Sequence, residues 1–211
     1  MLVTDSISFK SKNYKIRKAD DIARAVSKRF PMVSSSKLSS LPKAELFADA
    51  MDRLHDKLVT TRINGIKALN IFPLDVSPKD KILNFLKIMK NDKLGNCSEM
   101  TDLAMIFTYL KNIKDTCVAD IKNTADEHLN HVVLYVENGK KPYVIDPWLG
   151  FADYLPNAIQ RYKSEFCYIF PFEKAKSQKF MFNKYNYTCD ARKALDKCTY
   201  EELHEIKKQI R

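Results

Sequence analysis

The sequence predicts an α+β fold in which one helix packs on an antiparallel sheet. As far as Asp92, apolar residues recur at helical spacing in several stretches, and a further stretch of this kind runs from Ser98 to Leu110. Beyond Thr116 the pattern changes to short runs rich in β-branched residues, which are typical of strands. A helix packed on one face of a sheet buries the apolar surface of both, so these patterns favour the α+β class.

The first 92 residues are predicted to be helical. Apolar side chains recur every three or four residues in three stretches, at 19–30, at about 40–61 and from 77 toward 92. Pro31 ends the first stretch, and a serine-rich link at 34–40 separates it from the second. Ser77 and Pro78 supply an N-cap and a residue suited to the first helical turn. We therefore predict a helical N-terminal extension over 1–76, packed on a core domain over 77–211.

The core domain is predicted to continue with strands and further helices. Its expected elements are a helix at 98–110, a strand at 117–121, strands at 131–136 and 142–146, a helix from 153 through 162, a strand at 166–170 and a final helix after Thr199. The polar residues at 137–141 predict a turn that joins two of these strands into a hairpin. Thr199 and Glu202 have the spacing of a capping box.

Composition and charge favour a soluble protein of a reducing compartment. The chain has 211 residues and a formal net charge of +10, mostly from lysines scattered along its length. No basic stripe interleaved with aromatic residues is present, so we do not expect nucleic acid as a partner. No apolar run is long enough for a transmembrane helix, and the N-terminus lacks the apolar core of a secretory signal. The five cysteines are odd in number and show no paired spacing, which argues against a disulfide framework.

One cysteine stands where a helix is predicted to begin. Cys97 follows the turn residues Gly95 and Asn96 and precedes the helix at 98–110. Unpaired backbone N–H groups and the positive end of the helix dipole favour a thiolate at such a place, and the thiolate is the nucleophilic form of cysteine. The alternative is a small apolar residue with a purely structural role.

A histidine and an aspartate fall at matching ends of the predicted hairpin. His131 opens its first strand and Asp146 ends its second, so antiparallel pairing brings both side chains to the same end of the ribbon. We therefore predict Cys97 as a nucleophile, His131 as its general base and Asp146 as the group that orients the imidazole. His128 is near His131, but no cysteine or carboxylate stands at ligand spacing, and we expect neither a metal nor a cofactor.

The segments around these residues resemble the three motifs of the papain-like and transglutaminase-like superfamily of cysteine enzymes. The segments are Gly95-Asn96-Cys97-Ser98-Glu99, His131-Val132-Val133-Leu134 and Val144-Ile145-Asp146-Pro147-Trp148-Leu149-Gly150. The resemblance covers about residues 91–151, and its specificity comes from three motifs in the right order. It implies a papain-like or transglutaminase-like core and is closest to bacterial effector-type cysteine proteases and protein-glutamine deamidases. The motifs are also similar to those of the arylamine N-acetyltransferases.

An acyl-transfer enzyme also needs donors for an oxyanion. The backbone N–H of Cys97 is the first donor that we expect. For the second, Asn91 resembles papain's glutamine in its position six residues before the cysteine, and Asn96 is the competitor; either can instead be a turn residue. Trp148, the only tryptophan, covers the catalytic pair, lines an acyl pocket or anchors the core.

Together these features predict a thiol-dependent hydrolase that acts on proteins through a thioester, as a cysteine protease, a glutamine deamidase or a transglutaminase. The resemblance implies a bacterial effector that a specialised system delivers into the host cytosol, with host proteins as substrates. Two alternatives remain. One is an acyltransferase similar to the arylamine N-acetyltransferases, and the other is a basic adaptor on a degenerate fold. The four glycines are isolated, so no phosphate-binding loop is predicted.

Overall fold

The computed structural model describes residues 14–34, 48–69, 75–123, 126–165, 180–184 and 189–210. In these ranges the helices are α1 (Tyr14–Arg29), α2 (Ala48–Leu69), α3 (Pro78–Asp92), α4 (Cys97–Leu110), α5 (Leu155–Glu165), α6 (Asp190–Leu195) and α7 (Tyr200–Gln209). The strands are β1 (Thr116–Asn123), β2 (Asp126–Val136), β3 (Tyr143–Asp146), β4 (Phe151–Tyr154) and β5 (Phe180–Lys184). The strand predicted at 166–170 and most of the serine-rich link lie outside the described residues.

The five strands form one antiparallel sheet in the order β4-β3-β2-β1-β5. The predicted hairpin is present, with β2 and β3 paired through Leu134–Ile145 and Val136–Tyr143. Gly139 in its turn has a φ of +55°, a conformation that glycine adopts without steric cost. Helix α4 packs on β2. The predicted combination of helices with an antiparallel sheet is therefore confirmed.

One apolar core joins the N-terminal helix to the sheet. Helix α1 buries one face through Ile16, Ile22 and Val26, and it packs against α4, β3 and β4. Just after α1, the ring of Phe30 meets Phe107 of α4 edge to face, with centroids 6.3 Å apart. Residues 14–34 thus share their core with the second half of the chain. In the described ranges, no helix has the length and apolar character needed to cross a bilayer.

Two predicted helices have different bounds in the structure. Helix α1 begins at Tyr14 rather than at residue 19. Helix α2 continues to Leu69, although we predicted an end near Thr61. The apolar stripe is irregular there because Ile63 and Ile66 are exposed. Gly65 nevertheless faces α3 closely, since a Cβ atom at this position would lie 3.1 Å from Met89 Cε.

The first two strands were predicted too short, the strand predicted at 142–146 begins one residue later at Tyr143, and three elements were missed. Strand β2 begins at Asp126 rather than at His131, because the polar residues before the histidine continue the ladder with β1. Asp153 and Tyr154 lie in strand β4, which pairs with β3, and helix α5 begins only at Leu155. The elements without a sequence prediction are β4, β5 and α6.

The predicted helix caps are present. Ser77 Oγ accepts the backbone N–H of Asp80 at 3.0 Å at the start of α3. At the start of α7, Thr199 Oγ1 accepts the N–H of Glu202 at 3.2 Å, and Glu202 Oε2 accepts the N–H of Thr199 at 2.8 Å. These reciprocal bonds satisfy backbone donors that a helix leaves unpaired at its N-terminus.

Candidate active site

Cys97 is the first residue of α4 and is half-buried. The chain reaches it from α3 through Lys93, whose φ of +52° ends that helix in the left-handed conformation. The next residues form a short parallel bridge: Val33 donates its N–H to the Lys93 carbonyl at 2.8 Å, and Gly95 donates to the Val33 carbonyl at 3.2 Å. A Cβ atom on Gly95 would clash with Met32 Sδ. Glycine therefore allows the segment at 32–34 to approach the loop that positions Cys97.

Asn96 and Glu99 hold the start of α4. Asn96 occupies the N-cap and donates its backbone N–H to Glu99 Oε2 at 2.8 Å. The carboxamide oxygen of Asn96 accepts the Ser34 hydroxyl at 2.7 Å, so the –NH2 end of this side chain is the end that can donate to another group. The first turn of α4 is therefore held by Glu99 from within the helix and by Ser34 from a distant segment of the chain.

Arg62 of α2 forms an ion pair with Glu99 beside the cysteine. Arg62 Nε donates to Glu99 Oε1 at 2.6 Å, and Arg62 Nη2 donates to Glu99 Oε2 at 3.2 Å and to Ser98 Oγ at 3.1 Å. Burial raises the pKa of Glu99, but the hydrogen bonds and charge of Arg62 and the N–H of Asn96 outweigh it and bring that pKa below its usual value. The pKa of Arg62 is raised, mainly by its hydrogen bond to Glu99, and the charge of Cys97 contributes. The guanidinium is therefore within electrostatic reach of the sulfur.

His131 and Asp146 make direct contact. The register of β2 and β3, continued by one pair, places Asp146 opposite Val133, two residues from His131. His131 Nε2 and Asp146 Oδ2 are 2.6 Å apart, and both side chains are buried. The other carboxylate oxygen, Oδ1, accepts the backbone N–H of Leu149 at 2.9 Å. Asp146 is thus held at both oxygens, and one of them orients the imidazole.

Cys97 completes this arrangement from α4. Because Asp146 occupies Nε2 of the histidine, Nδ1 is the ring nitrogen that faces the thiol. Burial lowers the pKa of His131, but the charge and hydrogen bond of Asp146, together with the hydrogen bond to Cys97, raise it to about 10. The imidazole is consequently protonated at neutral pH. The imidazolium and the Cys97 sulfur therefore contact each other at the start of α4.

Two aromatic rings flank the imidazole. The ring centroid of Trp148 lies 5.2 Å from that of His131, and the centroid of Tyr162 lies 5.7 Å away in an edge-on orientation. Trp148 is 9 % exposed and Tyr162 is fully buried. Burial, and then the charge and hydrogen bond of Asp146, raise the pKa of Tyr162 well above its ordinary value, so the phenol stays neutral. These rings restrict the imidazole and shield its contact with Asp146 from water.

Helix α1 supports the turn that follows Asp146. The hydroxyl of Ser27 donates to the carbonyl of Pro147, in the turn that carries Trp148. Four residues after Trp148, Ala152 donates its N–H to Asp20 Oδ1 at 2.9 Å. The N-terminal helices therefore touch both loops of the candidate site, α1 at the Asp146 turn and α2 at the start of α4.

Of the six residues singled out from sequence, the structure brings four together. Cys97, His131, Asp146 and Trp148 meet in one cluster. Asn96 lies next to the cysteine in the N-cap, whereas Asn91 is exposed on the last turn of α3. The oxyanion role of either asparagine stays a prediction.

Arg62 and Tyr162 are site residues that we did not predict. No local pattern distinguishes Arg62 from other charged residues on its helix. Tyr162 follows the buried residue Ala158 at helical spacing, which marks it as core but not as a neighbour of His131.

Within the described residues, no three histidine, cysteine, aspartate or glutamate side chains cluster in a way that could hold a metal ion. The four cysteines in these ranges, Cys97, Cys117, Cys189 and Cys198, are not joined in disulfides. Comparison of the chain with protein-family models, with curated proteins and with solved structures finds no match.

Proposed function

We propose that this protein is a thiol-dependent acyl-transfer enzyme, with a papain-like or transglutaminase-like arrangement, that hydrolyses amide bonds of protein substrates. Cys97 is the nucleophile, His131 the acid and base, and Asp146 the residue that orients the imidazole. The observation that carries the proposal is the buried 2.6 Å contact between His131 Nε2 and Asp146 Oδ2, beside a cysteine at the first position of a helix.

The proposed reaction begins from the thiolate and imidazolium pair. The Cys97 sulfur attacks the amide carbon, a C–S bond forms, and the carbonyl electrons move to oxygen. As this oxyanion collapses, the C–N bond breaks and His131 gives its Nδ1 proton to the leaving amine, which leaves a thioester on Cys97. Neutral His131 then takes a proton from water, the resulting hydroxide attacks the thioester, and the carboxylic acid departs with return of the thiolate and imidazolium.

The first hydrogen-bond donor proposed for the oxyanion is the backbone N–H of Cys97. The backbone N–H of Cys97 belongs to the first turn of α4, where helical residues have no intrahelical acceptor. Of the two candidates for a second donor, Asn96 is better supported, because it directly precedes Cys97 in the chain and its side-chain oxygen is already held by Ser34, which leaves the –NH2 group to donate. Asn91 is exposed on the last turn of α3.

The chemistry of the site does not choose among acyl acceptors. Water as acceptor gives proteolysis from a peptide bond and deamidation from a glutamine side chain, and an amine as acceptor gives cross-linking. The resemblance to bacterial effectors directs the search for substrates toward host-cell proteins.

The experiment has two parts. First, iodoacetamide labelling at pH 6 is followed by mass spectrometry at Cys97 and at Cys117, which is also half-buried and serves as the internal comparison. We expect Cys97 to react at least about tenfold faster, because His131 is hydrogen-bonded to it and is the proposed acceptor of its proton. Second, a host-cell lysate is exposed to the wild type and to Cys97→Ala. Mass spectrometry then compares new peptide termini, glutamine-to-glutamate conversion and new cross-links.

The two parts give distinct outcomes. Equal labelling of Cys97 and Cys117 would remove the basis for a nucleophilic cysteine and leave the adaptor as the alternative. A faster Cys97 that gains an acetyl mass from acetyl-coenzyme A, with no Cys97-dependent change in lysate proteins, would replace the hydrolase by the acetyltransferase.

A further inference from the structure

A cavity of about 400 Å³ adjoins the candidate site on the side of α4 that faces α2 and α6. Two of its lining residues, Ser98 and Val132, directly follow Cys97 and His131 in the chain. Thr101 lines it as well, one helical turn after Cys97, and its hydroxyl donates to the Val132 carbonyl at 3.0 Å. The cavity therefore shares its wall with α4 and β2, the elements that carry Cys97 and His131.

The walls of this cavity are apolar, and one end carries a carboxyl group. Ile66, Leu69, Val118 and Val132 supply aliphatic surface. Asp102 lies four residues after Ser98 on the same face of α4 and is half-buried. Asp102 lies five residues after Cys97, which is a rise of about 7.5 Å along the helix and a turn of about 140° around it. The rise is comparable to the reach of an extended lysine or arginine side chain.

Asp102 lacks a cationic partner among the described residues. The lysine among the lining residues of the cavity, Lys193, pairs with Asp190 at 2.9 Å. The group that touches Asp102 is the thiol of Cys189, whose pKa burial raises to about 12, so that it remains a neutral donor. Burial, followed by the negative charges of Glu99 and Asp190, raises the pKa of Asp102 to about 7. A cation that enters the cavity relieves this unfavourable burial of negative charge.

We propose that this cavity binds the side chain of a lysine or arginine residue next to the acyl group that Cys97 attacks, with the aliphatic stem against the apolar wall and Asp102 as counter-ion. This inference rests on the proposed function, because it assigns a substrate preference to the same site. The net charge of +10 repels cations at long range, so a preference for basic residues must arise locally, at Asp102.

The test uses affinity labels that differ from one another only in one side chain. Chloromethyl ketones of tosylated lysine, arginine and norleucine alkylate Cys97 at pH 8, where Asp102 is ionised, and mass spectrometry follows the rate. We expect the lysine or the arginine label to react about tenfold faster than the norleucine label, the effect of one charge-assisted hydrogen bond. In Asp102→Asn that ratio is expected to fall to about one. The matched control is Asp21→Asn, an equal change of charge at an exposed position on α1, and it is expected to keep the wild-type ratio.

A steric variant tests the role of the cavity without a change in charge. Ile66 is 53 % exposed at the cavity, so Ile66→Trp is expected to fold and to slow the lysine, arginine and norleucine labels while iodoacetamide still reacts. A wild-type ratio near one, or an unchanged ratio in Asp102→Asn, would overturn the assignment of the cavity. The proposed function fails separately, through slow labelling of Cys97 by iodoacetamide, which does not need the cavity.

Discussion

The Arg62–Glu99 ion pair permits a quantitative prediction. Arg62→Met removes the guanidinium and keeps an apolar stem, which leaves the Glu99 carboxylate without its bidentate partner. The Glu99 side chain is 8 % exposed and that of Arg62 is 41 % exposed. Breaking a fully buried pair by removal of one partner costs about 3–5 kcal/mol. Because water screens the half-exposed guanidinium, we expect a loss of about 2–3 kcal/mol in the free energy of unfolding.

The assay is urea unfolding of the wild type, Arg62→Met, Glu99→Gln and the double variant. We expect the two single losses not to add, with a coupling energy of about 2 kcal/mol, because each substitution removes the same pair. The folded state lowers the pKa of Glu99, so the pair stabilises fully above the unfolded value of about 4.5, and its contribution is lost as the pH falls through the lowered pKa. The difference between the wild type and Arg62→Met should therefore shrink in acid.

Arg24→Met is the matched control. Arg24 pairs with Asp20 at 3.1 Å, but its side chain is 65 % exposed, and such a pair contributes less than about 1 kcal/mol. The reasoning fails if Arg62→Met and Arg24→Met lose the same free energy, or if the coupling energy in the cycle is near zero. Since Glu99 also accepts the N–H of Asn96, loss of Arg62 is expected to slow iodoacetamide labelling of Cys97 at pH 6 as well.

Three further predictions concern the groups around α4. Asp146→Asn should slow labelling of Cys97 at pH 6 by about tenfold or more, since the charge of Asp146 supports a His131 pKa of about 10. In the wild type, the imidazolium stabilises the folded state fully below pH 6.5, and this contribution is lost as the pH rises through about 10. Asp102→Asn should stabilise the protein at pH 8 by up to about 4 kcal/mol in urea unfolding, and the gain should vanish toward pH 4, because the folded pKa of about 7 lies above the unfolded value of 3.8. Gly95→Ala should lower the unfolding free energy by about 1–2 kcal/mol, because its Cβ meets Met32 and Glu99, whereas alanine at the exposed Asn91 should change it little.

The contact between His131 and Asp146 was predictable because local signals fix it. The turn at 137–141 determines that two neighbouring strands pair, and pairing brings the start of one strand to the end of the other. The glycine and asparagine before Cys97 likewise marked the start of α4. Each of these signals lies within a few residues of the group that it positions. An error of five residues in the start of β2 therefore left the relation between His131 and Asp146 intact.

The remaining parts of the site depend on contacts between distant segments. Arg62 reaches Glu99 only because α2 continues past Thr61, where the apolar pattern is irregular. The edge strands β4 and β5 are short and rely on pairing with β3 and β1 rather than on a strong apolar pattern of their own. Tyr162 shows the same limit, because its burial could be inferred from helical spacing but its neighbour could not.

These distant contacts give the N-terminal helices a physical role in the candidate site. Cys97 and Asp146 each lie beside a loop, and a loop by itself does not hold a side chain within the tolerance that proton transfer demands. Arg62 and Ser34 fix the loop before α4, while Ser27 and Asp20 fix the turn after Asp146 and the strand that follows it. The short core motif thus supplies Cys97, His131 and Asp146, and the described residues of α1, α2 and the segment at 32–34 supply contacts that hold the loops around them. If the proposed chemistry is correct, substitutions in these helices act on the rate of labelling at Cys97 through position, without touching the sulfur.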